Sequence, residues 1–278
     1  MKCKVIAIVM VIASLLVAMP DTVGRWVQFE EAWQKLGLTA QAAPSVEDFR
    51  WQGRLAAGQT LEVRGVNGEV SAEAAGGDQI EVTARKTGKR SNPEDVRIEV
   101  KEHAGGLLIC AVYPSRDASE PNECGKRMST YNNDVQVDFT IKLPAGVNLK
   151  AATVNGNIKI ADLRSRVKAS TVNGDVSVTT TGEAEANTVN GDVEVTMGRS
   201  ESDEPLKYST VNGDIRVKLS AGLDASFKAS TVNGDINSDF GFDSYEGKHG
   251  PKSATGRIGN GGRKVSLSTV NGDISLNR

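Results

Sequence analysis

The 278-residue sequence is long enough for one large domain or two small ones, and its core must be mainly aliphatic, because Phe, Trp and Tyr make up only 5% of it. Its formal net charge is −2, with Lys and Arg scattered among Asp and Glu. No basic stripe is present, so nucleic acid is not an expected partner.

In chain order, residues 1–42 read as a targeting segment. Lys2 and Lys4 precede an apolar run from Val5 to Met19 that is broken only by Ser14. That run is shorter than the ~20 residues of a membrane span and suits a signal peptide. An uncleaved N-terminal anchor is the alternative. Ala40-Gln41-Ala42 offers a cleavage site far downstream, and Leu16-Val17-Ala18 a nearer, weaker one. Between them, Arg25 to Leu38 carries Trp26, Phe29, Trp33 and Leu36 among charges. This is either an amphipathic stretch for a membrane surface or a leader left from export. Cys3 precedes the apolar run and is not placed as a lipid-bearing cysteine. The expected location is therefore exported: periplasm, cell surface or secreted, with membrane contact only through this segment.

Residues 49–144 read as an irregular β region. Thr60–Arg64, Val70–Ala74, Gln79–Arg85, Val96–Val100, Leu107–Tyr113 and Val135–Leu143 are predicted strands between turn-forming clusters. Cys110 and Cys124 are the two cysteines left after signal removal, and in an exported chain they are expected to form a disulfide. In the chain-entropy model, closing that loop stabilises by roughly 3 kcal/mol. The boundary falls at Pro144-Ala145-Gly146, with the array that follows continuous with this region.

Residues 145–278 form a regular repeat. Thr-Val-Asn-Gly occurs six times, with its turn residues at Asn155-Gly156, Asn173-Gly174, Asn190-Gly191, Asn212-Gly213, Asn233-Gly234 and Asn271-Gly272. A seventh copy, at Asn67-Gly68, has Gly65 in the Thr position. Subtracting successive Asn numbers of the six gives 18, 17, 22, 21 and 38. The 38-residue interval predicts a hidden eighth copy at Thr255-Gly256-Arg257-Ile258. Apolar residues recur four and two positions before each Thr (Leu149 and Ala151, Val167 and Ala169) and five and seven after it (Ile158 and Ile160, Val176 and Val178), with Ser238 the one exception. Alternation of this kind marks a strand with one buried face. One unit buries too few groups to offset the ~1–2 kcal/mol per residue cost of ordering its backbone, so the units must stack. Asn-Gly is expected where the chain turns with φ > 0. Two geometries satisfy that turn. In one it is the tight turn of stacked antiparallel hairpins or a β-sandwich; in the other it is the corner of a β-solenoid with 17–22-residue repeats, whose Asn side chains line up in a ladder.

Several segments together resemble a known family. They are Gly53-Arg54-Leu55 before Leu61-Glu62-Val63 and Val66-Asn67-Gly68, and Leu143-Pro144-Ala145-Gly146-Val147 opening the repeat series. The closing segments are Gly256-Arg257-Ile258-Gly259-Asn260-Gly261-Gly262 and Leu267-Ser268-Thr269-Val270-Asn271-Gly272-Asp273-Ile274. The chain resembles the bacterial adhesin-type domain proteins of unknown function that carry β-strand repeats. The resemblance covers roughly Phe49 to Leu276. It implies an all-β, right-handed β-helix-like solenoid at the cell envelope, and it brings no catalytic or ligand residues.

Chemistry-bearing motifs are sparse. His103 and His249 lack partners at metal-ligand spacing, and no nucleophile elbow, phosphate loop or dinucleotide fingerprint occurs. No cofactor is expected. Asp175, Asp192, Asp214, Asp235 and Asp273 follow the motif glycines, while Asn157 and Arg257 take that place in the other two units. Stacked, these carboxylates form a column that is either a calcium site or simply turn-closing and solvated. The function these features predict is a non-enzymatic, adhesin-like envelope protein that binds an envelope glycan, a surface protein or itself. One alternative is an envelope-stress sensor or accessory protein that engages a membrane partner through Trp26–Leu38. The other is a polysaccharide-active enzyme using Asp203 and Glu204, or Asp239, Asp243 and Glu246.

Overall fold

The computed structural model describes residues 49–278 apart from 118, 127–129, 131, 199–201, 221 and 247–251. The leader, with its cleavage sites and Trp26–Leu38, and His249 lie outside the described residues. The first strands are β1 (Phe49–Gly53), β2 (Thr60–Arg64), β3 (Val70–Ala74), β4 (Ile80–Thr87), β5 (Arg97–His103), β6 (Gly106–Val112) and β7 (Gln136–Leu143). The repeats contribute β8 (Asn148–Ala152), β9 (Ile158–Leu163), β10 (Val167–Ser170), β11 (Val176–Thr180), β12 (Ala184–Asn187), β13 (Val193–Met197), β14 (Leu206–Ser209) and β15 (Ile215–Lys218). The chain continues with β16 (Ala225–Thr231), β17 (Ile236–Ser238), β18 (Phe242–Glu246), β19 (Lys252–Ile258), β20 (Arg263–Ser268) and β21 (Ile274–Asn277). One 3-10 turn, Pro93–Asp95, is capped by the side chain of Asn92. No helix among the described residues is long and apolar enough to cross a membrane.

The strands make two sheets. One runs β1-β4-β7-β3-β9-β11-β13-β15-β21-β17, the other β18-β19-β16-β20-β14-β12-β10-β8-β2-β6-β5. The two strands flanking each Asn-Gly belong to different sheets, so the motif is a corner and each unit is one rung of a β-helix-like solenoid. A hairpin would have paired those strands antiparallel in a single sheet. Rungs stack in parallel register: Val167 lies opposite Leu149 and Ala184, and Val176 opposite Ile158 and Val193. The alternating apolar positions therefore face one shared interior, in which Leu149, Val167, Ala184, Leu206 and Val265 are all buried.

The order of the rungs along the stack differs from their order along the chain. Asn corners pair in the sequence 67, 155, 173, 190, 212, 271, 233. The rung made from β20 and β21 thus lies between the Asn212 and Asn233 rungs. The expected eighth copy at Thr255–Ile258 is corrected by this arrangement. Those residues belong to β19, a continuous strand paired antiparallel with β16 and β18. Gly256 is small there because a Cβ would lie 2.4 Å from the Phe227 ring and 2.6 Å from the Gly241 carbonyl oxygen. The other end mirrors this layout. The β2–β3 rung is inserted between β6–β7 and β8–β9, with antiparallel β4, β5 and β1 outside it. The N-terminal end of the stack thus carries antiparallel strands in both sheets, whereas the C-terminal end carries them in one sheet, as β19 and β18, and ends in the other on β17, parallel to β21.

Strand β6 departs from the alternating pattern because both of its faces are buried. Its inward side chains join the main core, while Leu108, Cys110 and Val112 pack outside with Cys124. The Cys110–Cys124 disulfide ties Cys124 to that outer patch.

Candidate functional site

The corner ridge is built column by column. The Thr side chains are buried, and each hydroxyl donates to the glycine carbonyl of the adjacent rung at 2.9–3.1 Å. The next rung's glycine passes close over that same carbonyl. A Cβ on Gly156, Gly174, Gly191, Gly213, Gly234 or Gly272 would lie 1.9–2.3 Å from it. Glycine is thus required by close approach, and at Gly191 also by φ = +144°. The Asn residues do not share this backbone. No motif Asn has positive φ, which corrects the expectation that Asn serves the turn by tolerating it. Its role is the ladder: beyond Asn67, which only accepts within it, each Nδ2 donates to the Oδ1 of the neighbouring Asn at 2.7–2.8 Å, as far as Asn233.

The Asp column forms a third ladder. Asp175, Asp192 and Asp214 each offer Oδ1 to a backbone N–H of the next rung at 2.8–2.9 Å, and Asp273 does the same for Asp235. Asn157 makes the same contact to Asp175, so the carbonyl-type oxygen rather than the charge satisfies the geometry. Arg216 reaches Asp192 and Asp214, and Lys252 reaches Asp235. Among the described residues, no three His, Cys, Asp or Glu side chains are grouped to hold a metal ion.

The motif valines are the part of the ridge that faces solvent. Val154, Val172, Val189, Val211 and Val270 are 38–39% exposed and Val232 is 48% exposed. They form a line of apolar side chains spaced by the interstrand distance of ~4.8 Å.

The N-terminal end of the Asn ladder is terminated rather than left open. Asn67 Nδ2 donates to the carbonyls of Asn133 and Val135. The buried Tyr113 hydroxyl lies 3.0 Å from the Val135 carbonyl and 3.2 Å from that of Asn67, donating to one at a time. Burial pushes the Tyr113 phenol up to about 12. Nearby, Asp134 accepts from the backbone N–H groups of Ser91 and Arg90, and these bonds, that from Ser91 foremost, hold its carboxyl down to about 2.

On the opposite edge lies a buried ion pair that no sequence motif marks. Arg263, 3% exposed, reaches Glu183 across the Asn212 rung. Arg166 bridges Glu183, Glu185 and Glu204 beside it. Of the acids considered for polysaccharide chemistry, Glu204 is thus engaged by Arg166, and Asp203 is exposed on the same β13–β14 connection. Asp239 lies between β17 and β18, where it accepts from the Arg278 backbone N–H, and Asp243 and Glu246 belong to β18. His103 is exposed, its Nδ1 accepting from Gly105 N–H. A cleft of about 270 Å³ opens between β17 and β18, lined by Ile236, Phe242 and Tyr245 among others.

Comparison with known proteins gives one family match: residues 61–277 fit the model described as Toastrack DUF4097. No curated protein matches the chain. Among solved structures, a candidate cell adhesion protein from Clostridium sporogenes is 15% identical, with 83% of this chain and 99% of that one covered and a TM-score of 0.44. A candidate adhesin from Bacteroides fragilis is 14% identical, covering 84% and 98%, with a TM-score of 0.36. Another from Parabacteroides merdae is 9% identical over the same shares, with a TM-score of 0.28. At those scores the overlaps carry no inference about this chain.

Proposed function

The chain belongs to the Toastrack DUF4097 family, and we propose that it is a non-enzymatic, exported protein of the cell envelope that binds a partner through the valine-lined corner ridge. The observation that carries this reading is the row of six exposed valines. Thr, Asn, Gly and Asp at the corner each make ladder hydrogen bonds, whereas the Val side chain cannot hydrogen-bond and presents part of its apolar surface to solvent. Threonine would supply the same β-branching for an extended backbone without the apolar surface. A repeated apolar line on a rigid support is the form expected of a recognition surface for an extended envelope partner. Export is supported by the Lys2, Lys4 and Val5–Met19 pattern and by the Cys110–Cys124 disulfide, which suits an oxidising compartment.

The test replaces Val172, Val189 and Val211 with Thr and measures sedimentation of the purified protein with isolated cell envelopes. Binding should be lost while the unfolding temperature holds. Undiminished binding by the triple variant would overturn the assignment of the ridge.

A further inference from the structure

The β20–β21 rung is placed out of chain order, between two rungs that precede it in sequence. Between β15 and β16 the chain skips one rung position, because β20 lies between β14 and β16 in one sheet and β21 between β15 and β17 in the other. The chain then builds β16 to β19 and returns through Gly259–Gly262 to place β20 and β21 in the position left between. The β14–β15 and β16–β17 rungs therefore form the two walls of a slot, and β20 and β21 fill it.

Both walls of the slot hold the inserted rung by the ladder contacts that recur throughout the stack. Thr269 donates to the Gly213 carbonyl at 3.0 Å and Thr231 to that of Gly272 at 2.9 Å. Asn271 donates to Asn212 and Asn233 to Asn271, both at 2.7 Å. None of these contacts distinguishes a rung of the same copy from a rung of another. A contact outside the repeated ladders is the buried Arg263–Glu183 pair, and any copy's Glu183 supplies it. The connector carries three glycines and is held to the body by Asp224, which accepts from Asn260 N–H at 2.7 Å.

We propose that the β20–β21 rung is an exchangeable element, and that two copies of the chain pair by inserting this rung into each other's slot. Reciprocal insertion recreates the strand and ladder contacts of the inserted rung, changes only the Gly259–Gly262 connector, and closes as a two-fold pair, the low-cost route to a dimer that domain swapping provides. The exchange is independent of the ridge reading, since the valines face solvent in either form.

Cysteine pairs test it in the full chain. Ser209 and Ser268 are register neighbours on β14 and β20, and a Ser209→Cys/Ser268→Cys double variant should form an intrachain disulfide. Chains carrying Ser209→Cys alone are then mixed with chains carrying Ser268→Cys alone, held a few degrees below the unfolding temperature and oxidised. The control mixture uses Ser170→Cys and Asn187→Cys, neighbours on β10 and β12, which lie within the consecutively stacked rungs. Exchange predicts heterodimers, disulfide-linked through the two substituted serine positions, at least ~10-fold above the control, as expected when only the inserted rung swaps. Asp224→Ala, by freeing the connector, should hasten their appearance. Equal yields from the two mixtures, no heterodimer in either, or failure of the intrachain bond to form would each overturn the proposal.

Discussion

Replacing Gly191 with alanine measures how closely neighbouring rungs approach. The new methyl would sit 2.2 Å from the Gly174 carbonyl oxygen and 2.8 Å from Asp175 Oδ1. A relaxed contact of this type needs about 3.3 Å or more, so the corners must part by about 1 Å. Holding alanine at φ = +144° costs about 1–3 kcal/mol. Parting the corners also stretches two bonds, Thr188 Oγ1 to the Gly174 carbonyl and Asp192 N–H to Asp175 Oδ1, both 2.9 Å. Each is worth about 1 kcal/mol. The sum is about 3–5 kcal/mol, which in a domain of this size lowers the melting temperature by roughly 10 °C. Circular dichroism melts of the variant beside Gly76→Ala give the comparison, because a methyl on Gly76 meets nothing within 4 Å. A Gly191→Ala protein within about 1 kcal/mol of the parent would refute the close stacking of the corners.

Three further outcomes follow from the same contacts. Asp175→Asn keeps an oxygen for the Asp192 N–H, as Asn157 does for Asp175, and should be neutral by urea unfolding, whereas Asp175→Ala should cost about 1 kcal/mol. Glu183→Gln leaves the Arg263 guanidinium buried without its counter-charge and should cost about 3–5 kcal/mol, with Glu183→Gln/Arg263→Met recovering much of that loss. Tyr113 gives an alkaline limit. Its folded pKa of about 12 exceeds the ordinary value of 10.0, so the folded state holds its proton more tightly. The resulting stability is complete below pH 10 and is lost as pH rises towards 12, by at most about 3 kcal/mol. Tyr208, buried and likewise raised, adds in the same direction. Tyr113→Phe should flatten part of that decline in an alkaline titration followed by unfolding.

The parts of this fold that were legible in the sequence are those fixed by local spacing. Alternation around each motif placed the inward residues, and the recurrence of Asn-Gly placed the corners. The rung order was not legible, because every Thr-Val-Asn-Gly corner presents the same donors and acceptors to its neighbours. Nothing in residues 269–272 says that they belong beside Asn212 and Asn233 rather than beyond them. Arg263 gave a faint signal, as a charged residue at an inward position of the alternating pattern two before Val265. β19 is not legible in the same way, because Gly256 has a packing role against Phe227, and in sequence a packing glycine looks like a turn glycine. The Asn residues misled in another way: their propensity for positive φ is real, but here the side-chain amide decides the choice.

Rung order is the feature on which the rest depends, and spin-label distances on the monomer fraction test it directly. With one label on Val154 and a second on Val270 or Val232, the stack order places the pairs four and five interstrand steps apart, about 19 Å and about 24 Å. Val232 should therefore be the more distant of the two. A Val270 label farther from Val154 than a Val232 label would mean that the rungs stack in chain order, contradicting the inserted rung.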